Sequence, residues 1–327
     1  MSKPIIVLTP VKNESWILPL FCASTSIWAD YIVIANQKST DNSREIAEKF
    51  SKVILIENSS TDLDENHRDR ILVEKARELA GCNAILFRLD ADEILTPNFN
   101  SPEWKELQES PAGTFWRFNW LQIYPGFKKY WENGTAFGAF VDDGRPYNGH
   151  GIIHAREIFP PKEDDEVRIA TQIGFLHYQF VDWARMQSKH RYYQCFEHIN
   201  FPNKSAIDIY RTYHWMYNPT LLKRNMPIQW IEDYKKYGVD ILDITIENEY
   251  WWDKKVEEYL TKYTPKYFCN IETYKPGELI KAKGKGFHDK MLLFYLRMTT
   301  SQYNRKQGRI YKVVHRIDNF LRNKLHL

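Results

Sequence analysis

Four short apolar runs punctuate the first hundred residues, and their alternation with helical patterns constrains the fold more than any other feature. Ile5-Ile6-Val7-Leu8, Tyr31-Ile32-Val33-Ile34-Ala35, Val53-Ile54-Leu55-Ile56 and Ala84-Ile85-Leu86-Phe87 are each four or five residues long. That is too short for a helix and right for a buried strand. Between the first two, Trp16, Leu18, Leu20 and Phe21 lead a helix towards Trp28. Ser15 or Asn13 is its expected cap, and Pro19 is tolerated close to its start. Ser43 to Phe50 predicts a short helix. A longer one runs from about Arg68 to Ala80, where Ile71, Leu72, Ala76 and Leu79 keep helical spacing and Gly81 supplies the stop. Strand–helix alternation of this kind implies an α/β fold with a mostly parallel sheet, right-handed crossovers and helices on both faces.

The fourth run ends in Leu89-Asp90-Ala91-Asp92-Glu93. Open α/β sheets bind ligands outside the carboxyl ends of their strands. Carboxylates clustered there suit a hard divalent cation, which in turn holds a diphosphate. The loops after the first, second and fourth strands should share that edge, gathering Pro10 to Glu14, Asn36 to Asp41 and Asp90 to Glu93. Thr9 to Ser15 contains no glycine, so neither GxGxxG nor a P-loop is present. A diphosphate would therefore be held by metal and basic side chains.

Bulk properties narrow the class. A chain of 327 residues is one large domain or two modest ones. With 45 basic and 42 acidic side chains it is nearly neutral, which argues against a nucleic-acid binder. Cys22, Cys82, Cys195 and Cys269 form no CxxC spacing, in keeping with reduced cytoplasmic thiols. Ile5 to Leu8 is too short for a secretory signal, and no apolar run approaches the ~18 residues of a membrane span. Aromatic residues reach 15%. They fit either core packing or stacking on sugar rings, and composition does not separate the two.

Pro10-Val11-Lys12-Asn13-Glu14, then Ser39-Thr40-Asp41-Asn42-Ser43, then Asp90-Ala91-Asp92-Glu93, in this order and spacing, resemble glycosyltransferase family 2. That is the large inverting group with the GT-A fold, and the likeness covers about the first third of the chain closely. It implies a transferase that moves a sugar from a nucleotide-diphosphate sugar to a hydroxyl of a glycan or glycolipid, with Mn²⁺ or Mg²⁺, in bacterial surface polysaccharide synthesis. By the same resemblance Pro10, Lys12 and Glu14 flank the base, and Asn36 and Gln37 make polar contacts to it. Asp90 meets the ribose, Asp92 binds the metal, and Arg68 or Arg70 lies near the base or diphosphate. One departure is visible. Many members carry two aspartates where this chain has Asn36-Gln37-Lys38, and amides, which both donate and accept, do not specify the base.

Ser101 to Ser110 predicts a helix, and Thr114 to Leu121 a strand. Ile173-Gly174-Phe175-Leu176-His177-Tyr178-Gln179-Phe180 is a further strand, followed by Val181-Asp182 and a helix towards His198. This block also resembles certain bacterial family 2 transferases, extending the likeness to about residue 215. His177 is a candidate second metal ligand through a neutral imidazole nitrogen. An inverting transferase needs a carboxylate base to take the acceptor proton. Asp182 stands at the family's usual distance from the metal motif, but Val181 replaces the usual acidic partner, and a helix cap explains Asp182 equally well. Asp142 and Asp143, in a turn before Gly144, compete with it, as does the run Glu163 to Glu166.

The chain is thus expected to comprise a nucleotide-sugar half over 1–100, an acceptor half over 101–200 and a helical region over 201–327. Within the last, a helix from about Arg309 to Asn323 has one apolar face. From Tyr303 onward, Arg305, Lys306, Arg309, Lys312, Arg316, Arg322 and Lys324 oppose only Asp318. A helix docked on its own protein is favoured; the other reading is peripheral contact with the inner face of the plasma membrane. Two other function classes compete. A sugar-1-phosphate nucleotidyltransferase would want a glycine-rich basic loop after the first strand. A non-catalytic carbohydrate- or nucleotide-binding protein would need no base.

Overall fold

The computed structural model describes residues 2–60, 64–149, 157–214, 216, 222–263, 267, 268 and 271. In chain order its elements are β1 (Ile5–Val11), α1 (Leu18–Thr25), β2 (Tyr31–Asn36), α2 (Ser43–Ala47), β3 (Val53–Glu57), α3 (Glu65–Ala80), β4 (Ile85–Arg88), β5 (Glu93–Leu95) and α4 (Pro102–Glu109). Then follow β6 (Phe115–Ile123), β7 (Lys129–Val141), β8 (Val167–His177), a 3₁₀ turn (Tyr178–Phe180), α5 (Trp183–Asn200), α6 (Ala206–His214), β9 (Arg224–Asn225), α7 (Ile228–Lys235) and α8 (Trp251–Tyr263).

Alternate strand residues face opposite ways, and here they feed two separate cores. Ile5, Val7, Ile32, Ile34, Ile85 and Phe87 pack with Leu18 and Phe21 of α1, Ala47 of α2 and Trp104 of α4. Their neighbours Ile6, Leu8, Val33, Ala35 and Leu86 pack instead with Leu72, Val73 and Ala76 of α3. The result is a Rossmann-like α/β arrangement with helices on both faces of the sheet. Strand order is β3-β2-β1-β4-β7-β6-β8-β5, with β9 on β7. The first four strands are parallel. β7 runs antiparallel to both β4 and β6, and β5 antiparallel to β8, so the second half of the sheet is mixed.

Helix starts differ from expectation for local reasons. α1 begins at Leu18 with no side-chain cap, because the backbone N–H of Ser15 is given to Asp41 (2.9 Å) and Glu14 carbonyl accepts from Ile17 and Leu18. α3 begins at Glu65, three residues before the expected Arg68, because Asp64 accepts from the N–H of His67 (3.0 Å).

β8 bulges where it leaves β6. Arg117 pairs with Ile169, but Asn119 pairs with Gly174, so extra β8 residues lose their ladder partner. Glu103 of α4 supplies a substitute: its carboxylate accepts from the N–H groups of Thr171 (2.6 Å), Gln172 (3.0 Å) and Ile173 (2.9 Å). Glu103→Ala is expected to cost about 1–2 kcal/mol, since water recovers part of these exposed bonds. A urea midpoint within error of wild type would refute that.

The chain divides into two compact units at positions other than 100 and 200. One holds residues 1–182 and 223–246, the other 183–222 and 247–327. The sheet crosses position 100 unbroken because β5 pairs with β8. Residues 223–246 return to the first unit because Tyr234 donates to the carbonyl of Leu95 (2.6 Å), Tyr178 to that of Ile241 (2.9 Å), and Thr245 N–H to that of Trp16 (2.9 Å). In the second unit, the described part is helical. Asp253 of α8 ties to α5 by accepting from Ser188 and Arg191, both at 2.7 Å. Among described residues no helix is long and apolar enough to cross a membrane. The basic helix expected over 309–323 lies outside the described residues.

Candidate active site at the carboxyl edge of the sheet

The loops after β1 and β2 are stitched together by backbone-to-side-chain bonds. Asn13 N–H donates to Ser39 Oγ (3.0 Å), Glu14 N–H to Ser43 Oγ (2.9 Å), and Thr40 N–H to Asn13 Oδ1 (2.7 Å). Burial pushes the Asp41 carboxyl up, but hydrogen bonds from Ser43 and Ser15 outweigh it and hold the group below its ordinary value. Pro10 lies within β1 itself, and Lys12 follows, half-buried. Glu14 accepts from the Trp16 indole (2.6 Å). Asn36 ends β2, and its amide donates to Glu57 (3.2 Å) while its oxygen accepts from Ser39 N–H. Gln37 N–H donates to Val11 carbonyl (2.8 Å). Pro10 to Glu14 and Asn36 to Asp41 therefore do share one edge, and the Asn36 amide helps to hold the second loop.

The third loop is tied down at both ends. Leu89 N–H donates to Leu8 carbonyl, and Asp90 N–H to Glu93 Oε2 (3.1 Å). The other oxygen of the fully buried Glu93 accepts from the Trp120 indole (2.8 Å). Asp90 stays half-exposed and pairs with Arg88 (2.9 Å), which also lies 3.4 Å from Asp69. Burial opposes the Arg88 charge, but Asp69 and Asp90 outweigh it and raise its pKa, so the guanidinium stays charged. Arg68 is buried and turned towards Glu65 (3.4 Å) and Asp69 (3.5 Å), whereas Arg70 is exposed.

Asp92 and His177 meet at this edge, both buried, with Nε2 and Oδ2 3.6 Å apart. β8 brings His177 there: it pairs with Glu93 of β5, and Tyr178 N–H donates to Asp92 carbonyl (2.8 Å). A carboxylate oxygen facing an imidazole nitrogen is a donor set that fits a divalent cation in chemistry, the nitrogen favouring Mn²⁺ over the oxygen-seeking Mg²⁺. Among the described residues no group of three or more His, Cys, Asp or Glu is placed to hold a metal. The remaining positions would fall to phosphate oxygens and water.

The candidate bases separate. Asp182 is buried and follows the turn that begins at His177, so it stays in sequence with this edge. Asp142 and Asp143 do not join it. Because β7 is antiparallel to β4, Val141 pairs with Ile85, and Asp142 N–H donates to Ala84 carbonyl at the amino end of β4. There Asp142 is fully buried against Arg77 (2.7 Å), and Asp143 pairs with Arg145 (2.7 Å). One reversal of strand direction carries both carboxylates away from the carboxyl edge. Of the acidic run, Asp165 pairs with Arg145 and Glu166 with Arg168. The Arg145 guanidinium holds Asp165 down to about 2. A depressed carboxylate stabilises above its unfolded value and loses that contribution as pH falls through the folded one. Stability should therefore drop between about pH 4 and 2, and Asp165→Asn should flatten that part of an acid titration followed by circular dichroism.

Three participants escaped the sequence reading. Arg88 interrupts an apolar strand immediately before the acidic turn, which is a usable signal. Trp120 and Gln122 carry none, because only the pairing of β6 with β8 sets Gln122 opposite His177.

No protein-family model and no curated protein matches the sequence. Among solved structures, the chain aligns with glucosyl-3-phosphoglycerate synthase from Mycobacterium tuberculosis in complex with Mn²⁺, UDP and glucosyl-3-phosphoglycerate. Identity is 20% over 38% of this chain and 45% of that one, with a TM-score of 0.25. It also aligns with HddC from Yersinia pseudotuberculosis, at 12% identity over 54% and 93% of the two chains and a TM-score of 0.32. A third is 4-diphosphocytidyl-2C-methyl-D-erythritol synthase, at 14% identity over 43% and 73%, with a TM-score of 0.29. The chain thus spans less than half the length of the first.

Proposed function

We propose that the carboxyl edge of the sheet binds a nucleoside-diphosphate sugar and that the protein transfers its glycosyl group to a hydroxyl of a glycan or glycolipid, with inversion. The supporting observation is the meeting of Asp92 and His177 on an edge shared with the two stitched loops and the half-exposed Asp90. In this reading Asp90 takes a ribose hydroxyl, while Pro10 and Lys12 flank the base. Asp92 and His177 hold the cation, which when bound offsets charge on the departing diphosphate. Asp182 accepts the acceptor's proton, since a sugar hydroxyl is a poor nucleophile without a base. Arg68, already committed to two carboxylates, is left to organise the edge.

A thermal-shift screen of nucleoside diphosphates with and without Mn²⁺ tests this reading. One base should raise the melting temperature only when Mn²⁺ is present, and no shift with any of them would sink the proposal. Asp182→Asn should keep that shift and lose glycosyl transfer by about 100-fold or more. Full transfer by that variant would remove Asp182 from the role. Release of pyrophosphate from a nucleoside triphosphate and a sugar phosphate would mark a nucleotidyltransferase instead.

A further inference from the structure

His177 is held on three sides. Its ring stacks on Trp120 (5.1 Å, 15° between planes), Phe180 meets it edge-on (6.2 Å, 78°), and its Nδ1 lies 2.7 Å from Oε1 of Gln122. Gln122 and His177 are both buried, and they sit opposite each other on β6 and β8. An amide oxygen only accepts, so this bond requires the ring proton on Nδ1. In the neutral ring, which carries a single N–H and is the form that can ligate a metal, Nε2 is then a lone pair facing Asp92 Oδ2 at 3.6 Å.

That geometry is a poor choice for stability alone. With the ring neutral, two electron-rich atoms face each other in a buried place, and Gln122 Nε2 has no hydrogen-bond acceptor among the described residues. A buried donor left without an acceptor carries a cost. Turning the amide over would place the ring proton on Nε2, pointing at Asp92, and would relieve the lone-pair opposition. The arrangement makes sense if a cation belongs between Nε2 and Asp92.

We propose that Gln122 is a positioning residue: it holds His177 as the Nδ1–H tautomer and so presents Nε2, together with Asp92, to a divalent cation. This rests on the metal reading above. Partners that orient a ligating histidine through its other nitrogen typically change metal affinity by about 10–100-fold when removed. Glutamate in place of Gln122 keeps an oxygen acceptor at Nδ1; leucine keeps the bulk and removes it.

The test starts with the metal-free protein. Long-range ¹H–¹⁵N correlation of the imidazoles, with the His177 signals identified by their absence from His177→Asn, should show the proton on Nδ1. An Nε2–H pattern in wild type overturns the proposal without any variant. Mn²⁺ titrations with the diphosphate that gives the largest thermal shift should then show about 10–100-fold weaker Mn²⁺ binding in Gln122→Leu, with Gln122→Glu close to wild type. If wild type binds Mn²⁺ and a correctly folded Gln122→Leu binds it equally, Gln122 has no positioning role while the metal reading survives. If wild type takes up no Mn²⁺ with any diphosphate, the metal reading fails and takes this proposal with it.

Discussion

Asp92→Ala should abolish the Mn²⁺-dependent binding of a nucleoside diphosphate, with a loss of more than about 100-fold. That exceeds the ~10–100-fold typical of groups that merely support a metal ligand. Asp92 is buried, stands 3.6 Å from His177, and supplies the anionic member of the pair. Imidazole alone is neutral and offsets none of the cation's charge. Asp90→Ala should be milder, leaving a weakened but still Mn²⁺-dependent binding, because Asp90 is half-exposed and is paired with Arg88. Isothermal titration of both variants, with and without Mn²⁺, separates the roles. Equal losses in the two would show that the turn acts as one acidic patch. Circular dichroism must confirm that Asp92→Ala is folded.

Arg88→Met should destabilise the protein by about 3–5 kcal/mol, the usual cost of removing one partner from a buried ion pair. The Arg88 and Asp69 side chains are only 6% and 3% exposed, so water cannot take over from the guanidinium. Arg68 still lies 3.5 Å from Asp69 and should keep the effect towards the lower end. The double variant Arg88→Met, Asp69→Leu should recover much of the loss, since it removes the stranded carboxylate together with its partner. Urea denaturation of wild type, single and double variants measures both numbers. A single-variant loss below about 1 kcal/mol would mean the pair behaves as a surface bridge. Arg88 joins stability to the site, because the guanidinium that satisfies Asp69 also steadies Asp90.

The first four strands were legible because each is a short apolar run, largely buried on both faces in β1, β2 and β4 and half-buried in the edge strand β3, and such runs have few other fates. Glycine at 81 and the periodicity of Ile71 to Leu79 fixed the end of α3 equally well. β7 was not legible. Its Glu132-Asn133-Gly134-Thr135 stretch interrupts any apolar alternation, and Glu132, Asn133 and Gly134 are exposed. Missing β7 hid the reversal that carries Asp142 to the far end of β4, so a sequence-level list of acids had no way to rank them. Asp90, Asp92 and His177 were legible as strand-end residues. The environment that orients them was not, because Gln122, Trp120 and Glu93 come together only through strand register. Nor does anything in the apolar pattern of 223–246 announce that Tyr234 and Ile241 belong with Leu95 and Tyr178, which lie far earlier in the chain.

That late return has a consequence for how the protein is made. Translation proceeds at roughly 5–20 residues per second, so the ribosome needs some seconds to travel from Asp182 to Ile246. Throughout that interval the nascent sheet lacks the segment that covers Tyr178 and accepts its hydroxyl. A chain stalled before Ile246 should therefore be cut by added protease within its sheet unit, and one released after it should resist.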